Sequence, residues 1–333
     1  MEKNNEHELL SVAKEYLTVY KRTNYGKIAV LTFVVGLGLA TNLLKGFELE
    51  DRHIAVVNIS GELGGGMNDN ETSSGNNIAA KIVEALNSDN SSMLVINADS
   101  PGGSPTDSQV IAETLIEYKQ ARGELSPELK AGIITRLDAA SPNFEKQPST
   151  SDAFNNDLAR KPIIAVVGKQ CASACVQAII HADYIVAQRA SMFGNIGVRL
   201  DTLNWSALAE KLGVTNITLT SGENKDMLNP WRPLNTEQMQ LANSTLLQPV
   251  FQQFKDDVLT GREGKLKVAD DVLFTGLVWT GEDSKAMGLI DTTSNSVKVQ
   301  KALESWSGVK YKAYTHKQFS FSSFLVSQLG LTW

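Results

Sequence analysis

The chain has 333 residues, of which 42% are hydrophobic and 20% are charged, and its formal net charge is −6. This composition is typical of globular proteins and excludes a chain that is disordered throughout. The net negative charge and the lack of a basic cluster argue against a nucleic-acid partner. The length is typical of one large domain.

An uncharged and mostly apolar run, residues 28–44, lies between Lys27 and Lys45. As a helix this run would span roughly 26 Å, which is close to the ~30 Å hydrocarbon core of a bilayer. Basic residues precede the run closely and acidic residues follow it, so the sequence predicts a transmembrane anchor with residues 1–27 in the cytoplasm and the large domain outside. A cleaved signal peptide and a buried core helix are the alternatives.

Hydrophobic periodicity in the rest of the chain predicts strands that alternate with helices. The predicted strands are residues 53–60, 93–98, 162–167, 184–187 and 217–220. The predicted helices are residues 77–86, 106–119, 173–181 and 236–259. This alternation is typical of βαβ units, so we expect an α/β fold with a mainly parallel sheet.

A long insertion, residues 122–160, interrupts this alternation. Residues 126–128 (Ser-Pro-Glu) are typical of a helix start, and the polar stretch 141–156 is typical of a surface loop. Such an insertion between core strands is usually a lid or a decoration.

Residues 45–315 are predicted to form the main domain. Residues 316–333 are predicted to form an apolar tail, which needs a partner surface in its own domain, in another subunit or in lipid.

Ser173 is a candidate catalytic nucleophile. It follows the predicted strand 162–167 at the start of an apolar helix, where free backbone N–H groups can bind an oxyanion. Lys225 is the candidate base, and a lysine can accept the serine proton only when its amine is neutral, a state that burial in an apolar cleft favours. The structural alternatives are a serine that caps the helix and a lysine on the solvated surface.

The two cysteines of the chain, Cys171 and Cys175, flank Ser173. A disulfide bond at this spacing is sterically possible but strained, and an oxidising compartment outside the cytoplasm would permit it. Two buried thiols are the equal alternative. The four histidines are scattered without the spacing of metal ligands, so we predict neither a metal nor a cofactor.

Several short motifs follow one another along the chain: Ser100-Pro101-Gly102-Gly103, Ala172-Ser173, residues 182–187, residues 194–198, Lys225-Asp226 with Pro230 and Arg232, residues 278–281 and residues 288–291. In this order they resemble the signal peptide peptidase A family of serine proteases, which is peptidase family S49. The resemblance covers residues 53–291 apart from the insertion. It implies a ClpP/crotonase-like α/β fold, a membrane anchor and a ring-like homo-oligomer.

The resemblance also implies roles for individual residues. Ser173 would be the nucleophile and Lys225 the general base, which the neighbouring protomer supplies in single-domain members of the family. The backbone N–H groups of Gly103 and Ala174 would hold the oxyanion, although the family usually has glycine where this chain has Ala174. Asn195 replaces the family's usual serine and would position the lysine, because an amide oxygen can accept a hydrogen bond from an amine.

The predicted function is therefore that of a membrane-anchored serine endopeptidase of the bacterial inner membrane, with its catalytic domain outside the cytoplasm. The expected substrates are signal-peptide remnants and other hydrophobic, membrane-associated polypeptides. The alternative is a catalytically inactive protein of the same fold that binds peptides or takes part in assembly.

Overall fold

The computed structural model describes residues 51–65, 73–138, 160–233 and 235–314, together with residues 14, 15, 18, 21 and 22. The chain divides into two units, Met1–Asp51 and Arg52–Trp333, and the elements below belong to the second. The predicted anchor, the polar stretch 141–156 and the apolar tail lie outside the described residues. Within the described ranges, no helix is both long enough and apolar enough to cross a membrane.

Eight strands of the described chain form one sheet. Three long strands lie side by side and parallel at its centre: β1 (His53–Ser60), β2 (Ser91–Ser100) and β3 (Ile163–Ala172). The shorter strands are β4 (Tyr184–Ala187), β5 (Met192–Gly194), β6 (Val278–Thr280), β7 (Thr292–Thr293) and β8 (Lys310–Ala313). The strands are hydrogen-bonded in the order β6-β5-β3-β2-β1-β8. Strand β4 pairs with another part of β3, and β7 pairs with β4. Strands β5 and β6 are antiparallel to each other. The predicted α/β fold with a mainly parallel sheet is confirmed.

Helices cover both faces of this sheet, which explains why its central strands are almost wholly buried. On one face, Ala55, Val57 and Ile59 of β1 pack with apolar side chains of α1 (Gly75–Asn87) and α2 (Pro105–Arg122). On the other face, Ile54 and Val56 pack with α3 (Pro127–Asp138) and α10 (Ser296–Ser307). The remaining helices are α4 (Ala174–Ile179), α5 (Ser206–Lys211), α6 (Thr236–Ala242), α7 (Gln248–Gly261), α8 (Asp270–Leu273) and α9 (Gly281–Met287).

The first half of the predicted insertion forms part of the core. Helix α3 begins at Pro127, within the predicted helix start, and buries Leu129, Ile133 and Leu137 against the sheet. These three residues recur at intervals of four, so they lie on one face of the helix. The described part of the insertion is therefore a packed layer of the domain.

The predicted strand 217–220 is wrong. The alternation of Ile217 and Leu219 is typical of a half-buried strand. In the described chain, however, these residues pair with no other strand, and they are 84% and 95% exposed. The helix predicted at residues 173–181 is shorter in the structure, where α4 covers Ala174–Ile179. The helix predicted at residues 236–259 consists of α6 and α7, joined by a π-helical turn, Asn243–Leu247.

The carboxyl ends of the central strands meet at one edge of the sheet. In the register of the parallel strands, Ser60 at the end of β1 lies beside Asp99, and Ser100 at the end of β2 lies beside Cys171. Ligand sites of open α/β sheets form at this edge, where the strand-to-helix loops converge. The turn 100–103 and Ser173 are therefore neighbours in the fold.

Asp291 carries a largely buried carboxylate, which joins the segment before β7 to β4. Its carboxylate accepts hydrogen bonds from the Arg262 guanidinium (2.9 and 3.2 Å), the Lys265 ammonium (2.8 Å) and the backbone N–H of Ile185 (2.7 Å). Burial by itself raises the pKa of this carboxyl group, but the two cations outweigh burial and hold the pKa below its ordinary value of 3.8.

Replacing Asp291 with alanine is expected to lower the free energy of unfolding by about 3–5 kcal/mol, because the Arg262 side chain stays buried without its partner. The stability that Asp291 contributes is fully present above pH 3.8 and is lost as the pH falls through the lowered pKa of its carboxyl group. Urea unfolding at pH 7 and at pH 3 measures this difference in the free energy of unfolding. The control is Glu282→Ala, which breaks an exposed pair with Arg189 and should change stability by less than ~1 kcal/mol. Equal losses in the two variants would contradict this account.

Candidate active site

A cleft of about 1070 Å³ lies at the carboxyl edge of the sheet. Ser173, Ala174, Gly103 and Asn195 all line it, so the fold brings together four of the residues predicted for catalysis. Apolar side chains form much of the rest of the lining, and they include Phe251, Phe254 and Phe274. The cleft therefore combines a polar corner with an apolar wall.

Ser173 occupies the corner between β3 and α4 with φ 53° and ψ −124°. Its backbone N–H donates to Gly194 O (2.8 Å), and its carbonyl oxygen accepts from the N–H groups of Val176 (2.8 Å) and Gln177 (3.3 Å). Its hydroxyl group, by contrast, accepts no capping hydrogen bond from α4. The backbone is thus held in place while the side chain stays available, which does not favour the structural alternative of a capping serine.

Backbone strain in this protein concentrates around the predicted catalytic residues. Among the described residues, Ser173, Asn195 and Leu228 are the non-glycine residues with positive φ, at 53°, 54° and 65°. The first two line the cleft, and the third closely follows Lys225 in the chain. Such conformations cost about 1–3 kcal/mol each and tend to cluster at functional sites.

Gly103 presents its backbone N–H to the side opposite Leu63. The two residues form a parallel bridge, in which Leu63 N–H donates to Gly102 O (2.8 Å) and Ser104 N–H donates to Leu63 O (2.8 Å). Because successive residues of an extended chain direct their polar groups to opposite sides, the Gly103 N–H points away from this bridge. A side chain at Gly103 would lie 2.1 Å from Leu63 O, so glycine is required there.

The neighbouring Gly102 packs directly against the candidate nucleophile. A Cβ atom added to Gly102 would lie 2.8 Å from the Cβ atom of Ser173 and 3.2 Å from the backbone nitrogen of Ala174. Ala174 is the first residue of α4, where backbone N–H groups have no partner within the helix. Because Ala174 does not have a positive φ, an alanine fits this position without strain. The two predicted oxyanion donors thus belong to adjoining segments.

The structure contains a disulfide bond between Cys171 and Cys175, with a Cα–Cα distance of 5.2 Å. Both residues are fully buried. The bond joins the end of β3 to the first turn of α4 and so brackets Ser173 and Ala174 within one small ring. Of the two alternatives that the sequence leaves open, the structure has the bridge.

Replacing both cysteines with alanine is expected to lower the free energy of unfolding by about 2 kcal/mol, which is the loop-closure contribution of so short a ring. The rate of any reaction of Ser173 should also fall about tenfold, because its backbone loses a constraint. Thermal unfolding and modification of Ser173, each with and without reductant, measure these effects. Reductant should change the wild type and leave the double variant unaltered; a wild type that keeps its rate after release of two titratable thiols contradicts the prediction.

Lys225 does not line the cleft of its own chain. It is exposed, and it lies in a turn in which its backbone N–H donates to Gly222 O (3.1 Å). The Arg232 guanidinium anchors this turn, since its Nε lies 3.2 Å from the Asp226 carboxylate and its Nη2 donates to Gln238 Oε1 of α6 (3.1 Å). A single chain therefore keeps the predicted nucleophile and the predicted base apart.

Sequence reasoning did not identify Leu63 or Gln177 as parts of the site. Gln177 lines the cleft four residues after Ser173, and that helical spacing is a signal that could have found it. Leu63 lies in a loop, and its pairing with the turn 100–103 depends on tertiary structure that local sequence does not report.

Residues 155–310 match the sequence model of Peptidase family S49. The matched part of the chain belongs to this family. It contains Ser173, Asn195 and Lys225, whereas Gly103 precedes it. The resemblance inferred from the short motifs is thereby confirmed.

Three relatives of this chain show how far the similarity extends. A protein of Methanocaldococcus jannaschii that is named as a protease is 32% identical over 154 residues, 45% of this chain and 48% of the relative. The chloroplastic serine protease SPPA of Arabidopsis thaliana is 32% identical over 194 residues, 55% of this chain and 27% of the relative. Protease 4 of Haemophilus influenzae is 25% identical over 285 residues, 85% of this chain and 39% of the relative. The chain thus spans less than half the length of each.

Among solved structures, the 1510-N membrane-bound stomatin-specific protease, determined with a substrate peptide, aligns with a TM-score of 0.43 and 12% identity. The alignment covers 84% of the S49 chain and 99% of that chain.

Proposed function

We propose that this S49 protein is a serine endopeptidase in which Ser173 is the nucleophile and Lys225 of a neighbouring copy is the general base. One observation carries the proposal. The uncapped hydroxyl of Ser173 lies on a positive-φ corner of the cleft, beside the backbone segments of Gly103 and Ala174. Acyl transfer requires a nucleophile, oxyanion donors and a base, and the cleft supplies the first two beside an apolar wall that can bind a hydrophobic peptide.

The proposed reaction proceeds through an acyl-enzyme. Ser173 Oγ attacks the carbonyl carbon of the scissile bond, and its proton passes to the neutral amine of Lys225. The N–H groups of Gly103 and Ala174 hold the negative oxygen of the tetrahedral intermediate. The lysine ammonium then gives its proton to the leaving amine. A water molecule attacks the resulting ester, loses a proton to the lysine and regenerates the serine hydroxyl.

Assembly of several copies is part of the proposal, because one chain lacks the base in its cleft. The segment 198–233, which carries Lys225, exposes many apolar side chains: Leu200, Leu203, Trp205, Leu208, Leu212, Val214, Ile217, Leu219 and Trp231. A surface of this kind is typical of a protein interface. A second copy seated on this segment would bury these side chains and bring Lys225 to the cleft of its neighbour.

The proposed substrates are extended hydrophobic peptides such as signal-peptide remnants and other membrane-associated polypeptides. The apolar lining from Phe251, Phe254 and Phe274 supports such substrates. The run at residues 28–44 supports a single-pass anchor in the bacterial inner membrane. The disulfide bond supports a catalytic domain outside the cytoplasm, since such bonds persist in oxidising compartments.

A fluorophosphonate probe tests the proposed function on the assembled, detergent-solubilised protein. The expected result is covalent labelling that mass spectrometry assigns to the peptide containing Ser173, and that heat-denatured protein does not show. If the native oligomer takes no label while it still binds hydrophobic peptides, the protein is an inactive peptide-binding member of the fold, and the proposal is wrong.

A further inference from the structure

Behind the cleft, four polar side chains form one hydrogen-bonded chain. Ser108 Oγ donates to Gln177 Oε1 (2.7 Å), Gln177 Nε2 donates to Asp257 Oδ2 (2.8 Å), and His181 Nε2 donates to Asp257 Oδ1 (3.2 Å). Ser108 is fully buried, Gln177 and His181 are each 4% exposed, and the Asp257 side chain is 22% exposed. We refer to these four residues as the buried polar chain.

The chemistry of Asp257 fixes the direction of its own two hydrogen bonds and the orientation of the Gln177 amide. A carboxylate only accepts hydrogen bonds, so Gln177 must turn its NH₂ group toward Asp257 and its oxygen toward Ser108. The hydroxyl of Ser108 has that oxygen (2.7 Å) and the Pro105 carbonyl oxygen (2.9 Å) as acceptors, and the shorter distance favours the bond to Gln177. Because the carboxylate only accepts, His181 carries its proton on Nε2. These bonds join side chains of α2, α4 and α7, and a hydrogen-bonded chain of this kind favours one arrangement of the three helices.

Those three helices carry the parts of the proposed active site. Helix α2, which contains Ser108, begins directly beyond the turn that holds Gly103. Helix α4, which contains Gln177, begins at Ala174. Helix α7, which contains Asp257, supplies Phe251 and Phe254 to the cleft wall. Gln177 lies in the middle of the buried polar chain and is bonded to both of the other helices.

We propose that Gln177 is a positioning residue, which sets the spacing between the two oxyanion donors by joining α2 to α4 and fixing both on α7. This inference rests on the proposed function and adds a residue to it. Gln177 acts through backbone segments and touches no reacting atom. The oxyanion donors must lie within hydrogen-bond distance of one oxygen, so a displacement of either helix weakens the binding of the transition state more than that of the peptide.

The test measures two quantities on the full-length oligomer. One is the second-order rate constant for labelling of Ser173 by a fluorophosphonate, which depends on the oxyanion donors. The other is the Kd of a fluorescent hydrophobic peptide, measured in the Ser173→Ala background. We expect Gln177→Met to slow labelling by about 10- to 100-fold. The Kd of the peptide should change by less than about threefold, because ground-state binding is retained.

Three further variants separate hydrogen bonding from folding. Ser108→Ala removes only the α2 link, with little change in volume, and should also slow labelling. Asp257→Ala should slow it, whereas Asp257→Asn should restore much of the lost rate, because an amide oxygen can still accept from Gln177 and an amide N–H can donate to the other tautomer of His181. The matched control is Ser307→Ala in α10, which removes a buried hydroxyl that donates to Leu303 O (2.7 Å) far along the chain from the cleft. It should leave the labelling rate unchanged.

The possible outcomes are distinct. Labelling of Gln177→Met at the wild-type rate, or a rate loss equalled by an increase in the Kd of the peptide, overturns the positioning role. Equal losses in Asp257→Ala and Asp257→Asn also overturn it. If wild-type Ser173 takes no label at all, the proposed function fails first and this inference falls with it.

Discussion

Replacing Ser173 with alanine is expected to lower the rate of peptide hydrolysis by about 10⁴- to 10⁶-fold, because no acyl-enzyme forms without the nucleophile. The oxyanion donors and the cleft remain, so the Kd of a hydrophobic peptide should stay within about threefold of the wild-type value. Release of a fluorophore from an extended apolar peptide measures the rate.

The matched control for this variant is Ser104→Ala, since Ser104 also lines the cleft. Its hydroxyl accepts a hydrogen bond from Asp107 N–H (3.2 Å) and caps α2, so its loss should lower stability by about 1 kcal/mol and leave most of the activity. Hydrolysis that persists in Ser173→Ala at the rate of the control would show that another residue is the nucleophile.

The second large effect concerns Lys225. Lys225→Ala should lower the hydrolysis rate by about 10³- to 10⁵-fold, because the Ser173 proton then has no acceptor. The control is Lys211→Ala, which removes another exposed lysine of the same apolar segment and should keep the wild-type rate. Both variants should retain the oligomeric state of the wild type, as measured by light scattering.

Co-expression distinguishes a base from the same chain from a base supplied by a neighbour. In oligomers that contain equal amounts of Ser173→Ala and Lys225→Ala chains, random assembly should make about a quarter of the sites complete when each cleft takes its lysine from the next copy. Two affinity tags isolate the mixed particles. Mixed oligomers that stay as inactive as each parent would show that the lysine does not come from a neighbour.

The central sheet could be predicted from sequence because its signal is local. Strands β1 and β4 have the predicted bounds, 53–60 and 184–187, since each is a short apolar run between polar residues. Strands β5 to β8 were not predicted, because none of them contains a continuous apolar run like that of β4, and they owe their existence to a neighbouring strand. The error at 217–220 has the opposite cause, as an alternating apolar pattern there faces solvent.

The candidate site was predictable to the extent that it lies in contiguous motifs. The turn 100–103 and the corner at Ser173 end adjacent parallel strands, so their proximity follows from the fold. The buried polar chain joins side chains from three helices, and nothing local in the sequence pairs Ser108 with Gln177 or Gln177 with Asp257. Lys225 lies outside the cleft of its own chain, and no local pattern in the sequence indicates this; only the family resemblance implied a lysine from another copy.

The exposed position of Lys225 has a consequence for when and where this protein would act. A newly synthesised monomer would be inactive toward surrounding polypeptides until it assembles with further copies. Under the proposed mechanism, its turnover would then rise more steeply than its abundance, so a high local concentration would switch proteolysis on and dilution would switch it off.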